Sequence, residues 1–288
     1  MITWPSPAKL NLFLYINGRY PNGYHRLQTL ICFLSYCDTI TIIPNNLGKI
    51  TLSSSINDIP IENNLIIRAA KLLYQYAIQK GLLSCNTGAN ITLIKRLPIG
   101  GGLGGGSSNA ATTLIALNYL WKTHLSWNDL IRLGLQLGYD VPVFIKGYAA
   151  FSDGAAHNLQ PVKLPERWYL ILDPHITIST ALIFQDAELK RNTPIRTLEE
   201  LYTIPFSNDC ELLVRKRYRK VEEVFNWLSK YGSISSRLTG TGSCIFCEFD
   251  KKSMADHLLN IASKCNMHGF VAQSLNLSPL HSFYSKIT

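Results

Sequence analysis

A chain of 288 residues that is 47% hydrophobic and only 16% charged is long enough to bury a sizeable core and reads as two ordinary globular domains. Its formal charge of +9 comes from scarce acids more than from abundant bases, which favours anionic ligands such as nucleotides without marking a nucleic-acid binder. No apolar run approaches the roughly 18 residues of a membrane span, no leader pattern opens the chain, and the seven cysteines lack the spacing of a disulfide framework, so a cytoplasmic protein without membrane association is expected.

The first element is a strand over residues 7–16. Strict alternation puts Ala8, Leu10, Leu12 and Leu14 on one face and Lys9, Asn11, Phe13 and Tyr15 on the other. Polar Lys9 and Asn11 beside aromatics suggest either a strand lining a cleft or an edge strand with a wet face. Pro21-Asn-Gly23 then turns the chain before Tyr24 and His25. Strand-like runs follow at 39–43 and 91–94, with a helical run over about 64–80 between them.

The next segment is the most informative. Pro98, Ile99, Gly100, Gly101, Gly102, Leu103, Gly104, Gly105, Gly106, Ser107 and Ser108 run directly into a helix that reads as amphipathic, with Ala111, Leu114, Leu117 and Trp121 on one side. Glycines permit positive φ and let bare amides approach an anion, and the helix start adds unpaired donors and a positive dipole end. The loop lacks the Gly-Lys-Ser/Thr of a Walker A site. A literal GxGxxG at Gly100, Gly102 and Gly105 is weak in so glycine-rich a run, and Asp129, the acid at the Rossmann distance, belongs with Ser126 to a capping box. A ligand-free glycine turn is the plain alternative.

That capping box opens a helix over 127–137, ended by Gly138, which delivers Asp140 to a junction. Asp140 stands two residues before Pro142, so it can cap a short helix, present its carboxylate to a cleft, or do both. A domain boundary is expected near residues 155–165, dividing the chain into 1–160 and 161–288. In the second half Val214, Tyr218, Val221, Phe225 and Leu228 carry the stripe of one helix, and the basic run from 215 to 220 falls mostly off it as a solvated face. Thr239 to Ser243 forms a second glycine-hydroxyl turn. Cys244 and Cys247 match CxxC but sit in a strand, where positions i and i+3 point apart, which makes them core residues rather than metal ligands.

Lys9, the glycine loop, Asp140 and the 239–243 turn, in this order, resemble the GHMP kinases. The resemblance narrows, through Trp-Pro-Ser-Pro-Ala-Lys-Leu-Asn-Leu-Phe-Leu-Tyr at 4–15, Asn-Gly-Tyr-His at 22–25, the loop itself, Arg-Leu-Thr-Gly-Thr-Gly at 237–242, Phe-Ser-Asn-Asp-Cys-Glu at 206–211 and Asn-Leu-Ser-Pro-Leu-His at 276–281, to the branch that phosphorylates the 2-hydroxyl of 4-diphosphocytidyl-2-C-methyl-D-erythritol in the non-mevalonate route to isopentenyl diphosphate. It implies an α+β fold of two domains, an N-terminal one like ribosomal protein S5 domain 2 and a C-terminal ferredoxin-like one. ATP and Mg2+ are implied as well. By the resemblance Lys9 and Asp140 are catalytic, residues 98–108 bind the ATP phosphates, and Asn11, Tyr24, His25, Thr180 and Phe184 bind the substrate, Tyr24 and Phe184 sandwiching the cytosine. Asp140 would take or orient the hydroxyl proton, and Lys9 would lend positive charge near the transferring phosphoryl group. The partner implied is a small cytidyl diphosphate molecule and not nucleic acid; the oligomeric state is open, a homodimer among the options. The chain departs from the branch at 152–159, which lacks a Gly-x-Gly-Glu-like pattern, and at Tyr139, where a small residue is usual. No glutamate stands out as a magnesium ligand, leaving Ser107 or Ser108 as weak candidates.

Overall fold

The computed structural model describes residues 2–21, 23–55, 60–154, 158–231 and 235–288. Asn22 of the first turn and residues 155–157 of the atypical segment lie outside them. A long antiparallel hairpin of β1 (Ile2–Arg19) and β2 (His25–Asn45) forms the spine, paired from Ile2 opposite Ile42 to Arg19 opposite His25 with three register shifts on the way. The next strands are β3 (Ile50–Ser54) and β4 (Gly88–Ile94), parallel to each other and joined through helix α1 (Leu65–Gln79). Asn64 starts α1 by accepting from the Ile66 N–H, and Ile66, Ile67, Ala70, Leu73 and Ala77 form its buried stripe.

Helix α2 (Gly105–Leu120) departs from the amphipathic expectation: Ser108 through Leu117 are buried all round. It is a central helix, in contact with α1, with β1 and β2, and with α3 (Trp127–Leu137) and α4 (Val141–Lys146). Ala110, Ala111 and Ala116 permit that close approach, which one-sided periodicity does not reveal. Helix α3 has the expected bounds and the Ser126–Asp129 capping box.

Strands β5 (Ala150–Gly154) and β6 (Leu159–Pro161) extend the sheet beside β2. In the second half come β7 (Trp168–Asp173), α5 (Thr180–Gln185), α6 (Leu198–Tyr202), α7 (Glu211–Arg217), α8 (Arg219–Ser229), β8 (Ser236–Leu238), β9 (Ile245–Phe249), α9 (Lys252–Lys264), β10 (His268–Leu275) and α10 (Pro279–Ile287). The strand order is β3-β4-β2-β10-β7-β9-β8, and β10 joins the halves through Ser274 and Leu275 opposite Leu34 and Phe33 on β2. The chain end returns to the first half: Leu280 is buried in its core, and the Phe283 ring meets Trp4 at 5.2 Å.

Two local expectations change. The helix expected across 214–228 is two, α7 and α8, because Tyr218 is extended (φ −124°, ψ 95°). Its N–H still bonds the Val214 carbonyl and its carbonyl still accepts from Val221, so the apolar spacing survives the break unseen. The basic run does lie on a solvated face, where Arg215 bonds Glu222, Arg217 bonds Asp186 and Glu188, and Arg219 bonds Glu223. On β1 the alternation fails, since register shifts between Pro7 and Lys9 and between Asn11 and Phe13 rotate the strand. Beyond the second shift Phe13 and Tyr15 join the core that holds Ala8, Leu10 and Leu12, while Leu14 and Ile16 turn to the core of the second half. Lys9 and Asn11 therefore share a side with Leu14 and not with the aromatics. Cys244 and Cys247 are buried in different cores, as opposite strand faces require.

Candidate active site

The β1 shifts free backbone groups to build the site. Near the first, the Lys9 N–H bonds the Leu103 carbonyl at 3.0 Å; near the second, the Asn11 N–H bonds Thr239 Oγ1 at 3.2 Å. The strand is thus tied on one side to the glycine loop and to the 239–243 turn. Those two segments also join each other, through Ser243 N–H to the Gly100 carbonyl and Cys244 N–H to the Gly101 carbonyl, both 3.2 Å. Asn208 supports the turn from behind, donating to the carbonyls of Leu238 and Gly240 at 2.8 Å each, which gives the 206–211 motif a structural task.

The glycines divide by purpose. Gly102 (φ +77°) passes so close to the turn that a Cβ would stand 2.1 Å from the Thr239 carbonyl oxygen, and at Gly101 it would meet Cys244 Sγ at 2.6 Å. These two are packing positions. Gly104 (φ +71°) is the N-cap of α2 and has no side chain to cap it, so the first amides of the helix open toward the cleft. Gly106 at that start is exposed.

Lys9 is buried and Asp140 half-exposed, their Nζ and Oδ2 atoms 3.5 Å apart. Asp140 occupies the N-cap position of α4 without making a side-chain cap bond, so the capping option is not realised and its carboxylate faces Lys9. Lys9 Nζ also donates to Asn11 Oδ1, and Asn11 Nδ2 donates to Thr29 Oγ1 at 2.8 Å. Asn11 therefore spends its side chain aiming the ammonium.

Under the loop lies a second, almost fully buried pair. Asp38, with no exposed surface, accepts from Lys95 Nζ at 2.6 Å, from the N–H groups of Arg96 and Leu97, and from Asn109 Nδ2 at 3.0 Å. Burial draws the Lys95 ammonium below the usual lysine range, and Asp38 opposes that shift. Ser108 belongs to this network, its hydroxyl bonded to Ser6 at 2.9 Å and fully buried. Its side chain is turned away from any ligand, which removes it as a magnesium candidate; Ser107 stays on the open side.

The glycine loop, the Lys9–Asp140 pair, Asn11, Lys95 and residues 240–242 of the turn line one cleft of about 1580 Å³. Of the residues singled out in the sequence, Lys9, Asn11, Tyr24, His25, Thr180, Phe184, Asp140 and the loop from Pro98 to Ser107 line it, and Ser108 does not. Its lining also includes Ser54, Asn64, Leu65 and Lys95, which no sequence motif flags, the last two beside Gly106 and Gly105 at the start of α2. The Phe184 ring stacks on His25 (4.8 Å, 28°) and Tyr24 leans on Tyr139 (4.9 Å, 52°). Tyr139 is accommodated by pointing outward, 53% exposed. Thr180 bonds Thr241 at 2.9 Å. The His25 imidazole is held below its usual pKa, first by burial and then by the neighbouring Arg19 and Arg191 guanidiniums.

Two family models match this chain, the GHMP kinases N terminal domain over residues 64–148 and the GHMP kinases C terminal over 187–266, together more than half of its length. The chain belongs to the GHMP kinases. Among solved structures, this GHMP kinase is similar to a 4-(cytidine 5'-diphospho)-2C-methyl-D-erythritol kinase, at 28% identity and a TM-score of 0.79 over 95% of this chain and 99% of that one. It is similar in fold to the Methanococcus jannaschii mevalonate kinase (17% identity, TM-score 0.70, 96% and 98% covered). The same holds for a Streptococcus pneumoniae phosphomevalonate kinase in complex with phosphomevalonate and AMPPNP (13%, 0.61, 96% and 100%). The two-domain α+β fold of the family accounts for both models. No helix among the described residues is long and apolar enough to cross a membrane.

Proposed function

We propose that this GHMP kinase transfers the γ-phosphoryl group of ATP to the 2-hydroxyl of 4-diphosphocytidyl-2-C-methyl-D-erythritol, giving the 2-phosphate and ADP. The observation that carries the reading is the placement of the Lys9–Asp140 pair in a cleft with an open helix start on one side and an aromatic-imidazole cluster on another. The cleft exceeds the roughly 300–1,000 Å³ of a site for one small ligand and fits two. The 28% identity over nearly full length to a kinase of that name supports the choice of acceptor.

The residues present fit a nucleoside triphosphate. Gly104, Gly105 and Gly106 line the cleft at the start of α2, which has no side-chain cap, and Lys95 adds a fixed ammonium nearby. Asn64, Leu65 and Ser54 would take the purine end. Bound ATP supplies the phosphoryl group and leaves as ADP. Among the described residues Asp140 is the one acidic side chain lining the cleft, and none forms a cluster of three metal-binding groups. A magnesium ion would therefore be held mainly by the triphosphate and water, with Asp140 or Ser107 as the protein oxygen nearest to hand.

The chain's own work is positional and electrostatic. Asp140 accepts the hydrogen bond of the acceptor hydroxyl and takes its proton as the new P–O bond forms. Lys9, fixed by Asn11, offsets the negative charge spread over the transferring group. His25 and Phe184 hold the base end of the acceptor, with Tyr24 and Tyr139 at its margin.

A coupled ADP-release assay tests the reading with the cytidyl substrate, its cytidine-free analogue, mevalonate and homoserine as acceptors. The cytidyl compound is expected to give by far the highest kcat/KM. Faster turnover of mevalonate or homoserine would assign the chain to another branch of the family.

A further inference from the structure

Thr29, on β2, stands at the far end of a buried chain of hydrogen bonds that reaches the Lys9 ammonium. Its hydroxyl donates to the Phe13 carbonyl at 2.6 Å and accepts from Asn11 Nδ2 at 2.8 Å, and Asn11 Oδ1 accepts from Lys9 Nζ. Phe13 follows the second β1 register shift, and Leu14 beside it faces Thr29 across the hairpin. Thr29, Asn11 and Lys9 are 7%, 4% and 4% exposed, so bulk water does not stand in for a partner that is lost.

A hydroxyl has one hydrogen to give. The Phe13 carbonyl can only accept, so that hydrogen is spent there and the Thr29 oxygen is left to accept from Asn11. The Asn11 atom facing Thr29 must then be the nitrogen, and the oxygen of the same amide must face Lys9. The main chain on this stretch is already tied, the Lys9 N–H to the Leu103 carbonyl and the Asn11 N–H to Thr239 Oγ1. What is left to fix is the two side chains. Lysine carries a large rotamer entropy, and an acceptor of set direction is what confines its ammonium.

We infer that Thr29 is a positioning residue for phosphoryl transfer: it sets the amide of Asn11 through one accepted hydrogen bond and, through Asn11, the place of Lys9 Nζ beside Asp140. This role presupposes the transfer proposed above, whichever hydroxyl receives the group. Removing the hydroxyl while keeping the shape strands Asn11 Nδ2 and the Phe13 carbonyl in a buried site. The amide then turns to find another acceptor, and Lys9 loses its direction. A displaced ammonium leaves ground-state binding much as it was and forfeits stabilisation of the charge that develops during transfer. Thr29 also lines the cleft, so direct contact with the substrate is the rival role that an experiment has to separate.

Steady-state kinetics of the full-length chain, with ATP and the cytidyl compound both varied, compares Thr29→Val, which keeps the shape, with Thr29→Ser, which keeps the hydroxyl. Thr29→Val should lower kcat by about 10- to 100-fold with both KM values little changed, and Thr29→Ser should return most of the lost rate. In an Asn11→Ala background Thr29→Val should lower kcat no further. A loss of the same size with the Asn11 amide absent, or a raised acceptor KM at constant kcat, would place Thr29 against the substrate and end its role through Asn11. If mevalonate or homoserine proves to be the acceptor, the same comparison is read with that compound. Nitrogen-15 NMR reads the link without turnover: the Asn11 side-chain amide of the wild type, assigned by its absence in Asn11→Ala, should exchange slowly with water and lose that protection in Thr29→Val. Fast exchange in the wild type would break the chain at Asn11 whatever the kinetics show. A wild type that phosphorylates none of the three acceptors would sink the functional reading, while the NMR arm would still judge whether Thr29 holds the amide.

Discussion

Lys9 Nζ and Asp140 Oδ2 lie 3.5 Å apart, the first buried and the second half-exposed at the mouth of α4. The asymmetry suits a carboxylate that must reach a substrate and an ammonium that must not move. Asp140→Asn keeps the shape and removes the proton acceptor, so kcat should fall by about 10²–10⁴-fold with the KM for ATP little changed. Steady-state kinetics with both substrates varied would read this. A variant that turns over at the wild-type rate would take Asp140 out of the chemistry.

How much of this pair was visible in the sequence depends on what set each residue's place. The α3 capping box, its Gly138 stop and the Asn64 start of α1 are local, and residues 126–138 and 64–80 show them directly. The first two of the three β1 register shifts are not local. They depend on partners far along the chain, Leu103 and Thr239, and they are why strict alternation sent Leu14 and the aromatics to the wrong sides while still grouping Lys9 with Asn11. The Asp38–Lys95 pair has no signature in the sequence, because single charges within or just past an apolar strand carry no motif. Ser108 looks like a loop residue in the sequence because a glycine count does not show where the helix starts; one residue further into α2 than Ser107, its hydroxyl points inward to Ser6.

The two kinds of glycine in the loop should separate under substitution. At Gly102 a methyl would strike backbone at 2.1 Å and sit at φ +77°, so Gly102→Ala should destabilise the protein by about 2–4 kcal/mol and move the 239–243 turn. At Gly106 the nearest atom is the flexible end of Leu65, 3.3 Å away, and the residue is helical. Gly106→Ala should leave stability level or raise it by about 0.5–1 kcal/mol, yet raise the KM for ATP, because its methyl intrudes on the open helix start. Denaturant melts paired with nucleotide titrations would show both. Equal loss of stability in the two variants would refute the division.

Asp38 neutralises an ammonium that has almost no access to water, with side-chain exposures of 0% and 8% for the pair. Removing one partner of a buried ion pair leaves the other uncompensated, and Asp38→Asn should cost about 3–5 kcal/mol in a urea titration. Adding Lys95→Met removes the stranded charge, so the double variant should be more stable than Asp38→Asn alone. A double variant less stable by the sum of the two single losses would mean that the pair does not interact energetically.

His281 gives the fold a handle on pH away from the reacting groups. Its ring stacks on Trp127 at 5.2 Å, its Nε2 lies 3.3 Å from the Phe144 carbonyl, and a Cβ on Gly147 would collide with it. Burial pulls its pKa below the usual 6.5, while the nearby carbonyls of Phe144 and Ile145 oppose that shift. The unfolded chain therefore binds a proton at a pH where the folded chain does not. The stabilising contribution is complete above about pH 6.5 and is lost as the pH falls from there through the lower folded-state value. Thermal melts between pH 7.5 and pH 5 should show Tm falling on the acid side, and His281→Gln, which cannot take up the proton, should flatten that fall even if its Tm at pH 7.5 is lower. A slope that is the same in both proteins would assign the acid sensitivity to other groups.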